Sequence, residues 1–440
     1  MERESAFISL WDELAMLCLV NLLAFYCFYL SGVLYIDSTT MFFNPETTGF
    51  AKVSSLLTFL LGFVLRPVGA VFYGVFADLR GRQRALISSL YVISISTVLI
   101  GLLPSYAQMG DLSTILNILL RGVQGFALGG SYACAAVLAY EIAPFQQKAR
   151  YTSVIQLSIT AGFLTAIAII VILKLLCGID AFLAWGWRIC FLMSGLIILA
   201  IRRLNRSLVV KEAPIMTLKE WHRNVTKPFF LSKKSFHHFI WFMIPVVGGL
   251  GIAGYVSHPY KLYFLQSILK VEPSTVSFIV AISSVFYMPT NILWGYVGDK
   301  VNRKNLLLIG LAACLVLCYP LFMLMDYWVK NHPMIGGQIL SNTMVLILIS
   351  ALISALPIIG YGPMIAYICE HVPAKARCTA VAVVYNLGFG IFSGVISLAT
   401  GYWYEKYNWS FAGIAIAEVV FLICLLFAIS NYPKKSMKHD

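Results

Sequence analysis

The stretch GVFADLRGR (residues 74–82) recurs as GYVGDKVNR (295–303), so that Gly74, Asp78 and Arg82 are matched by Gly295, Asp299 and Arg303, each pair 221 residues apart. A second match sets Glu141, Pro144 and Lys148 against Glu370, Pro373 and Arg377, at a spacing of 229. Two echoes at nearly one offset, close to half of a 440-residue chain, describe a duplicated unit. Composition says what the unit is made of. The chain is 60% hydrophobic and 12% charged, with a mean hydropathy of +0.84. Soluble domains carry about 25% charged residues, so there is too little charge here for a water-facing surface. Soluble enzymes, DNA-binding modules, disordered tails and secreted disulfide scaffolds are excluded at this step.

Apolar runs fall near 15–36, 52–76, 85–104, 112–140, 152–176 and 184–201, and again near 239–268, 274–298, 305–325, 339–369, 378–401 and 410–430. Each is close to the ~20 residues that cross a bilayer. Lipid offers no partner to an open backbone amide, so the expected fold is an all-α membrane protein of twelve helices in two pseudo-symmetric six-helix halves. The halves are 1–201 and 239–440, joined by a linker at 202–238. Basic residues collect on one set of loops: Arg80, Arg82 and Arg84; Lys148 and Arg150; the linker; Lys300, Arg303 and Lys304; Lys375 and Arg377; and the C-terminal tail. The opposite loops hold Lys52, Lys174, Lys270, Lys330 and Lys406. Both termini and the linker are therefore expected in the cytoplasm, and the net charge of +13 needs no nucleic acid to explain it. The linker reads either as an orientation signal or as a segment lying on anionic headgroups, which attract each basic residue by ~1 kcal/mol. The polar start Met1–Ser5 runs straight into the first apolar stretch, so that segment is expected to be retained. The ten cysteines form no CxxC pair and no Cys/His spacing, so no metal or other cofactor is expected.

These residues also carry a family resemblance. RPVGAVFYGVFADLRGRQRAL (66–86) resembles the loop motif between the second and third helices of the major facilitator superfamily. RGVQGFALGGSYACAAVLAYEIAP (121–144), WGWRICF (185–191) and VVYNLGFGIFSG (383–394) are similar to its metabolite:proton symporters, a branch with proline/betaine, citrate, 2-oxoglutarate and shikimate carriers. The resemblance implies a transporter of the bacterial inner membrane, working as a monomer on a small-molecule substrate. It also implies that Gly74, Asp78 and Arg82, with Asp299, Arg303 and Glu370, form a charge cluster that latches the cytoplasmic side, a helix end contributing. A solvated positive-inside loop is the plainer reading of the same residues.

Two arginines bear most on function. Arg121 stands about ten residues, or ~15 Å, into its helix, and Arg66 precedes Asp78 by twelve residues. An arginine at mid-membrane costs about 2.5–3.5 kcal/mol on the mildest scale, so each should face a cavity or an acidic partner. A role in binding an anion or handling a proton is set against structural pairing within the bundle. Gln124, Leu128, Ser131 and Ala135 follow Arg121 along its face. Glu141 lies ~30 Å beyond Arg121 on the same helix, out of reach of it, and reads as a gate residue with Glu370 as its counterpart. Glu141 and Glu418 are the candidates for proton coupling; Asp37 is a further acid near the end of the first helix. Ala70 with Gly74, Gly125 with Gly129, and Gly390 with Gly394 allow close helix contact. Pro245, Gly248, Gly249, Gly251, Gly254 and Pro259 in the seventh segment, and Pro357, Gly360, Gly362 and Pro363 in the tenth, are expected to break those helices near the site. Tyr26, Tyr255, His258, Tyr361 and Asn386 are candidate lining residues.

The chain departs from the symporter pattern at Ala24, Cys27 and Ser131, where the resemblance would place carboxylates. Three readings of function stay open. One is a secondary transporter of a carboxylate-bearing or zwitterionic metabolite, driven by a proton gradient. The second is an uncoupled facilitator of the same fold, and the third a receptor or channel-like protein that has lost transport. No HExxH and no Ser/His/acid set stands in the chain, so an enzyme is not expected.

Overall fold

In the computed structural model the described residues are 2–34, 42, 48–207, 216–221, 223, 237–332, 339–392, 396, 399–400, 403, 406–407 and 409–431. Asp37, Gly394, most of the 202–238 linker and the C-terminal tail fall outside them. All regular elements among the described residues are helical. The main helices are α1 (Glu2–Val33), α2 (Thr48–Arg80), α3 (Arg82–Leu102), α4 (Asp111–Ile142), α5 (Lys148–Cys177) and α6 (Ile179–Ile201). They continue with α7 (Phe239–Ile268), α8 (Pro273–Lys300), α9 (Arg303–Asn331), α10 (Ser341–Glu370), α11 (Arg377–Asn386, extended by Leu387–Phe392) and α12 (Ala412–Ser430). Ten of these are long and apolar enough to cross a membrane on the described residues alone. Helix α2 has 33 residues, about 50 Å of helix, and α11 is the described part of the run expected over 378–401.

The chain separates into two compact units. One comprises Met1–Ala143, Val154–His222 and Ala374–Asn386; the other comprises Pro144–Ser153, Arg223–Pro373 and Leu387–Asp440. In the first, α2 and α4 touch backbone to backbone. A Cβ on Gly129 would stand 2.8 Å from the Ala70 amide nitrogen, and one on Gly69 would stand 2.6 Å from the Phe126 carbonyl carbon. Lipid supplies no hydrophobic force between helices, so such close packing and a few interhelical hydrogen bonds hold the unit. Asn21 donates to Ser158 Oγ at 2.6 Å, and Ser94 Oγ to the Ser194 carbonyl at 2.9 Å. Each such bond contributes about 0.6 kcal/mol.

In the second unit, Gly310 of α9 faces Gly360 of α10, where a Cβ would stand 2.6 Å from the Gly360 nitrogen. Helix α10 breaks as expected, between Ala355 and Ile358, with Pro357 capping the second piece. Helix α7 does not break. It widens into π-helical turns at Phe239–Met243, Val256–Tyr260 and Phe264–Ile268. The turn at Val256–Tyr260 holds Pro259, which has no N–H to give, so the helix absorbs the missing bond by widening. The two repeated loops turn by different means. Gly81 takes a positive φ of 108° after α2, a conformation glycine adopts at little cost. Asn302 instead caps α9, its side chain accepting from the Lys304 amide at 3.1 Å.

Candidate functional site

At the repeated loops, two carboxylates sit on two helix ends. Asp78, 1% exposed, accepts from the amides of Cys378 (3.1 Å) and Thr379 (3.0 Å) and from Thr379 Oγ1 (2.7 Å). Asp299 accepts from the amides of Ala149 (2.8 Å) and Arg150 (3.0 Å). These amides lie in the first turns of α11 and α5, where helix N–H groups have no internal partner and the helix dipole favours a negative charge. The conserved spacing of the repeat thus has a shared cause. Gly74 and Gly295 sit one turn before the carboxylates; a Cβ on either would stand 2.7 Å from an atom of the docked helix, Thr379 Cα or Ser153 Cβ. Arg82 acts on Asp78 through its charge and places its hydrogen bonds elsewhere. It bonds the Ala374 carbonyl at 2.6 Å and Glu141 at 3.2 Å, and Arg377 bonds Glu141 at 3.3 Å. In the second unit Arg303 bonds Asp299 at 3.0 Å and pairs with Glu370.

Deeper in the first unit, Arg66 on α2 and Arg121 on α4 are 7% and 3% exposed. They share the ring of Phe28, with guanidinium carbons 3.8 and 5.8 Å from its centroid. Arg121 donates to Gln124 Oε1 and, at 3.3 Å, to the Phe28 carbonyl. Gln124 is held in turn by donating to Thr97 Oγ1 at 2.6 Å and to the Cys27 carbonyl at 3.2 Å. Both acceptors of Arg121 are neutral, and among the described residues no carboxylate is paired with it. A guanidinium has five N–H donors, so most of this fork is uncommitted. Tyr29 and Tyr385 lie within electrostatic reach of Arg66, and Tyr132 packs against Tyr385 in a tilted pair, ring centroids 4.2 Å apart, and donates to Gln156. What results is a buried, positively charged, aromatic-walled cluster.

Comparison with known proteins places these features. The family described as "Sugar (and other) transporter" matches residues 15–215, and the Major Facilitator Superfamily matches residues 246–439. The glycine betaine/proline/ectoine/pipecolic acid transporter OusA of Dickeya dadantii is 30% identical over 360 residues, covering 79% of this chain and 68% of that protein. This chain belongs to the major facilitator superfamily. Among its members it is also similar to the inner membrane metabolite transport protein YhjE of Escherichia coli, 27% identical over 89% of this chain and 87% of that one. In fold, this superfamily member superposes on the E. coli xylose transporter XylE with a TM-score of 0.70, covering 98% and 100% of the two chains at 16% identity. The superfamily transporter FucP gives 0.65 at 12% identity, covering 97% and 100%. The relatives and the fold are those of secondary transporters, not of enzymes.

Within the first unit of this superfamily member, Arg66, Arg121 and Gln124 are brought together around Phe28. Tyr26 turns its hydroxyl away, donating to the Cys190 carbonyl at 2.5 Å. Asn386 donates to the Gly129 carbonyl at 2.7 Å, which fastens α11 to α4. In the second unit Tyr361 donates to the Leu250 carbonyl at 2.5 Å, and Tyr255 packs against Tyr260. Glu418 accepts from the Tyr319 amide at 3.1 Å. Ala24, Cys27 and Ser131 are buried and uncharged. Sequence reading missed Lys261, fully buried in α7. An ionisable residue inside VSHPYKLYFL (256–265) was the available signal, since such a residue in a membrane span marks function by default.

Proposed function

We propose that this protein is a secondary transporter of the inner membrane that moves a small carboxylate-bearing or zwitterionic metabolite by alternating access of its two halves, coupled to an inward proton gradient. The observation that carries the reading is Arg121: buried, bonded only to neutral acceptors, and beside a second buried arginine on one aromatic ring. Two adjacent like charges in a dry site are costly unless an anion neutralises them, and a substrate carboxylate takes a guanidinium bidentately. Phe28, Tyr29, Tyr132 and Tyr385 suit the other end of a zwitterion, since aromatic faces attract quaternary and secondary ammonium groups. The names of the relatives, which include glycine betaine and proline, support the same substrate class. Both termini are taken as cytoplasmic, the basic linker as an orientation signal and the monomer as the working form.

A second reading, an uncoupled facilitator, is favoured by one observation: buried Ala24, Cys27 and Ser131 carry no charge where the resemblance has acids. Glu141 and Glu418 stay candidates for coupling, the first engaged by Arg82 and Arg377 and the second by the Tyr319 amide. Uptake by proteoliposomes tests the proposal. The panel holds proline, glycine betaine, a dicarboxylate and xylose, each with and without an inward pH gradient. Saturable uptake of a carboxylate-bearing compound, accelerated by the gradient, is expected. Uptake unaffected by the gradient makes the protein a facilitator, and no saturable uptake of any carboxylate sinks the substrate assignment.

A further inference from the structure

Lys261 is a buried cation of a different kind from Arg66 and Arg121. It lies in the other unit, 0% exposed, and its Nζ meets three oxygens: Ser354 Oγ at 2.8 Å, the Ser350 carbonyl at 3.1 Å and Ser283 Oγ at 3.4 Å. Three acceptors match the three N–H donors of an ammonium. Two of the three are hydroxyls, and a hydroxyl can turn. Ser354 Oγ donates to the Ser257 carbonyl at 3.3 Å and Ser283 Oγ to the Val280 carbonyl at 3.0 Å. If the ammonium loses a proton, either hydroxyl can turn and donate to the new lone pair, while the two remaining N–H groups keep the other oxygens. The same serines therefore satisfy Lys261 in both protonation states.

The surroundings bias neither state with a fixed negative charge. Among the described residues no ion pair includes Lys261. On α7, His258 stands one turn earlier and within electrostatic reach of Lys261, and its Nε2 is buried with no partner; Tyr260 is the adjacent residue. From α8 comes Tyr287, whose ring stands 5.2 Å from that of His258. From α10 come Ser350, whose Oγ is likewise buried without a partner, and Ser354. The carboxylate of α12, Glu418, is occupied by the Tyr319 amide. Arginine keeps its proton in proteins, so neither Arg66 nor Arg121 can exchange one, whereas lysine can.

We propose that Lys261 is the group that takes up and releases the coupled proton. One Nζ–H bond breaks, the proton passes to water when the site opens, and the lone pair left on nitrogen accepts from a turned serine hydroxyl; reprotonation reverses each step. This rests on the proton-coupled reading above and names the group on which that coupling runs. It also offers a carrier for a chain with Ala24, Cys27 and Ser131 in place of acids.

Two measurements test it. In proteoliposomes, an inward gradient of one pH unit should raise accumulation by the wild type about 10-fold for one proton per substrate. The ratio of gradient-driven accumulation to substrate exchange should fall at least 5-fold in Lys261→Gln and in Lys261→Arg, and stay unchanged in Lys270→Gln, an exposed lysine. A ratio preserved in Lys261→Gln overturns the assignment. Independently of any substrate, 15N-lysine NMR of the full chain in nanodiscs, with Lys261→Arg as the subtraction, should show this amine passing between ammonium and amine over the pH range of the uptake assay. If it does so while wild-type uptake ignores the gradient, the coupling reading fails and the proton site stands. A Lys261 signal fixed in one form throughout refutes the proton site whatever the uptake shows.

Discussion

Replacing Asp78 by asparagine should free the start of α11. The carboxylate receives two amide hydrogen bonds and one hydroxyl hydrogen bond at 3.1, 3.0 and 2.7 Å, at a buried helix N-terminus. Hydrogen bonds to a charged group are worth about 1.5–3 kcal/mol each, and the helix end favours an anion by up to ~2 kcal/mol. Asparagine keeps one oxygen for Thr379 but turns N–H groups toward the Cys378 amide, and it loses the charge. A net loss of about 3 kcal/mol follows, which shifts the ratio of undocked to docked α11 about 100-fold. The molecule carries its own reporter, because Cys378 donates one of these bonds and its side chain is fully buried. Maleimide labelling of purified protein, followed site by site by peptide mass spectrometry, should show Cys378 reacting tens of times faster in Asp78→Asn. Cys27, buried on α1, serves as the control and should stay protected. Labelling of Cys378 within 3-fold of wild type refutes the docking energy argued here. Equal acceleration at Cys27 shows unfolding instead.

Gly74→Val drives a side chain to where a Cβ already stands 2.7 Å from Thr379 Cα; an overpacking cost of about 1–3 kcal/mol and faster Cys378 labelling are expected, with a lower melting temperature as the check. Tyr361→Phe strips the Leu250 carbonyl of its donor and should cost about 0.5–1.5 kcal/mol in thermal unfolding while leaving Phe389 packing in place. Burial, with His371, Lys304 and His237 nearby, pushes the His238 imidazole, one residue before α7, from 6.5 down to about 3. The folded protein then binds fewer protons than the unfolded chain between those values, so this contribution to stability is complete above about pH 6.5 and fades as pH falls toward 3. Melting curves at pH 7 and pH 5 should show a smaller drop for His238→Gln than for wild type.

The all-helical membrane fold was legible because it depends on residue type over fixed lengths of chain. Asp78 and Asp299 share a spacing in the sequence, and each accepts from helix-end amides, as Arg82 and Arg303 each bond a glutamate. That a helix end joins the cluster came with the family resemblance; which amides are used, those of Cys378 and Thr379 on Asp78 and those of Ala149 and Arg150 on Asp299, spacing along the chain does not reveal. Arg66 and Arg121 stand out as charges in apolar runs, yet nothing in the sequence says that one phenylalanine ring lies under both. Tyr26 and Tyr361 illustrate the same limit, since an aromatic residue near a site does not announce which carbonyl its hydroxyl serves. Helix α7 was read through its prolines and glycines as a break. That emphasis passed over Lys261 three residues after its own histidine, and it missed that π-helical turns let the helix continue.

Recognition of a carboxylate by Arg121 can be read from binding to the purified protein. The best carboxylate ligand from the uptake panel and its neutral amide are compared by calorimetry in wild type and in Arg121→Gln. Wild type should prefer the carboxylate by about 100-fold, equivalent to ~2.8 kcal/mol, as for a charge-assisted bidentate pair in a desolvated site. In Arg121→Gln the preference should collapse to within a few-fold, with the amide bound about as well as before. Equal binding of acid and amide by wild type, or an undiminished preference in Arg121→Gln, would contradict the claim.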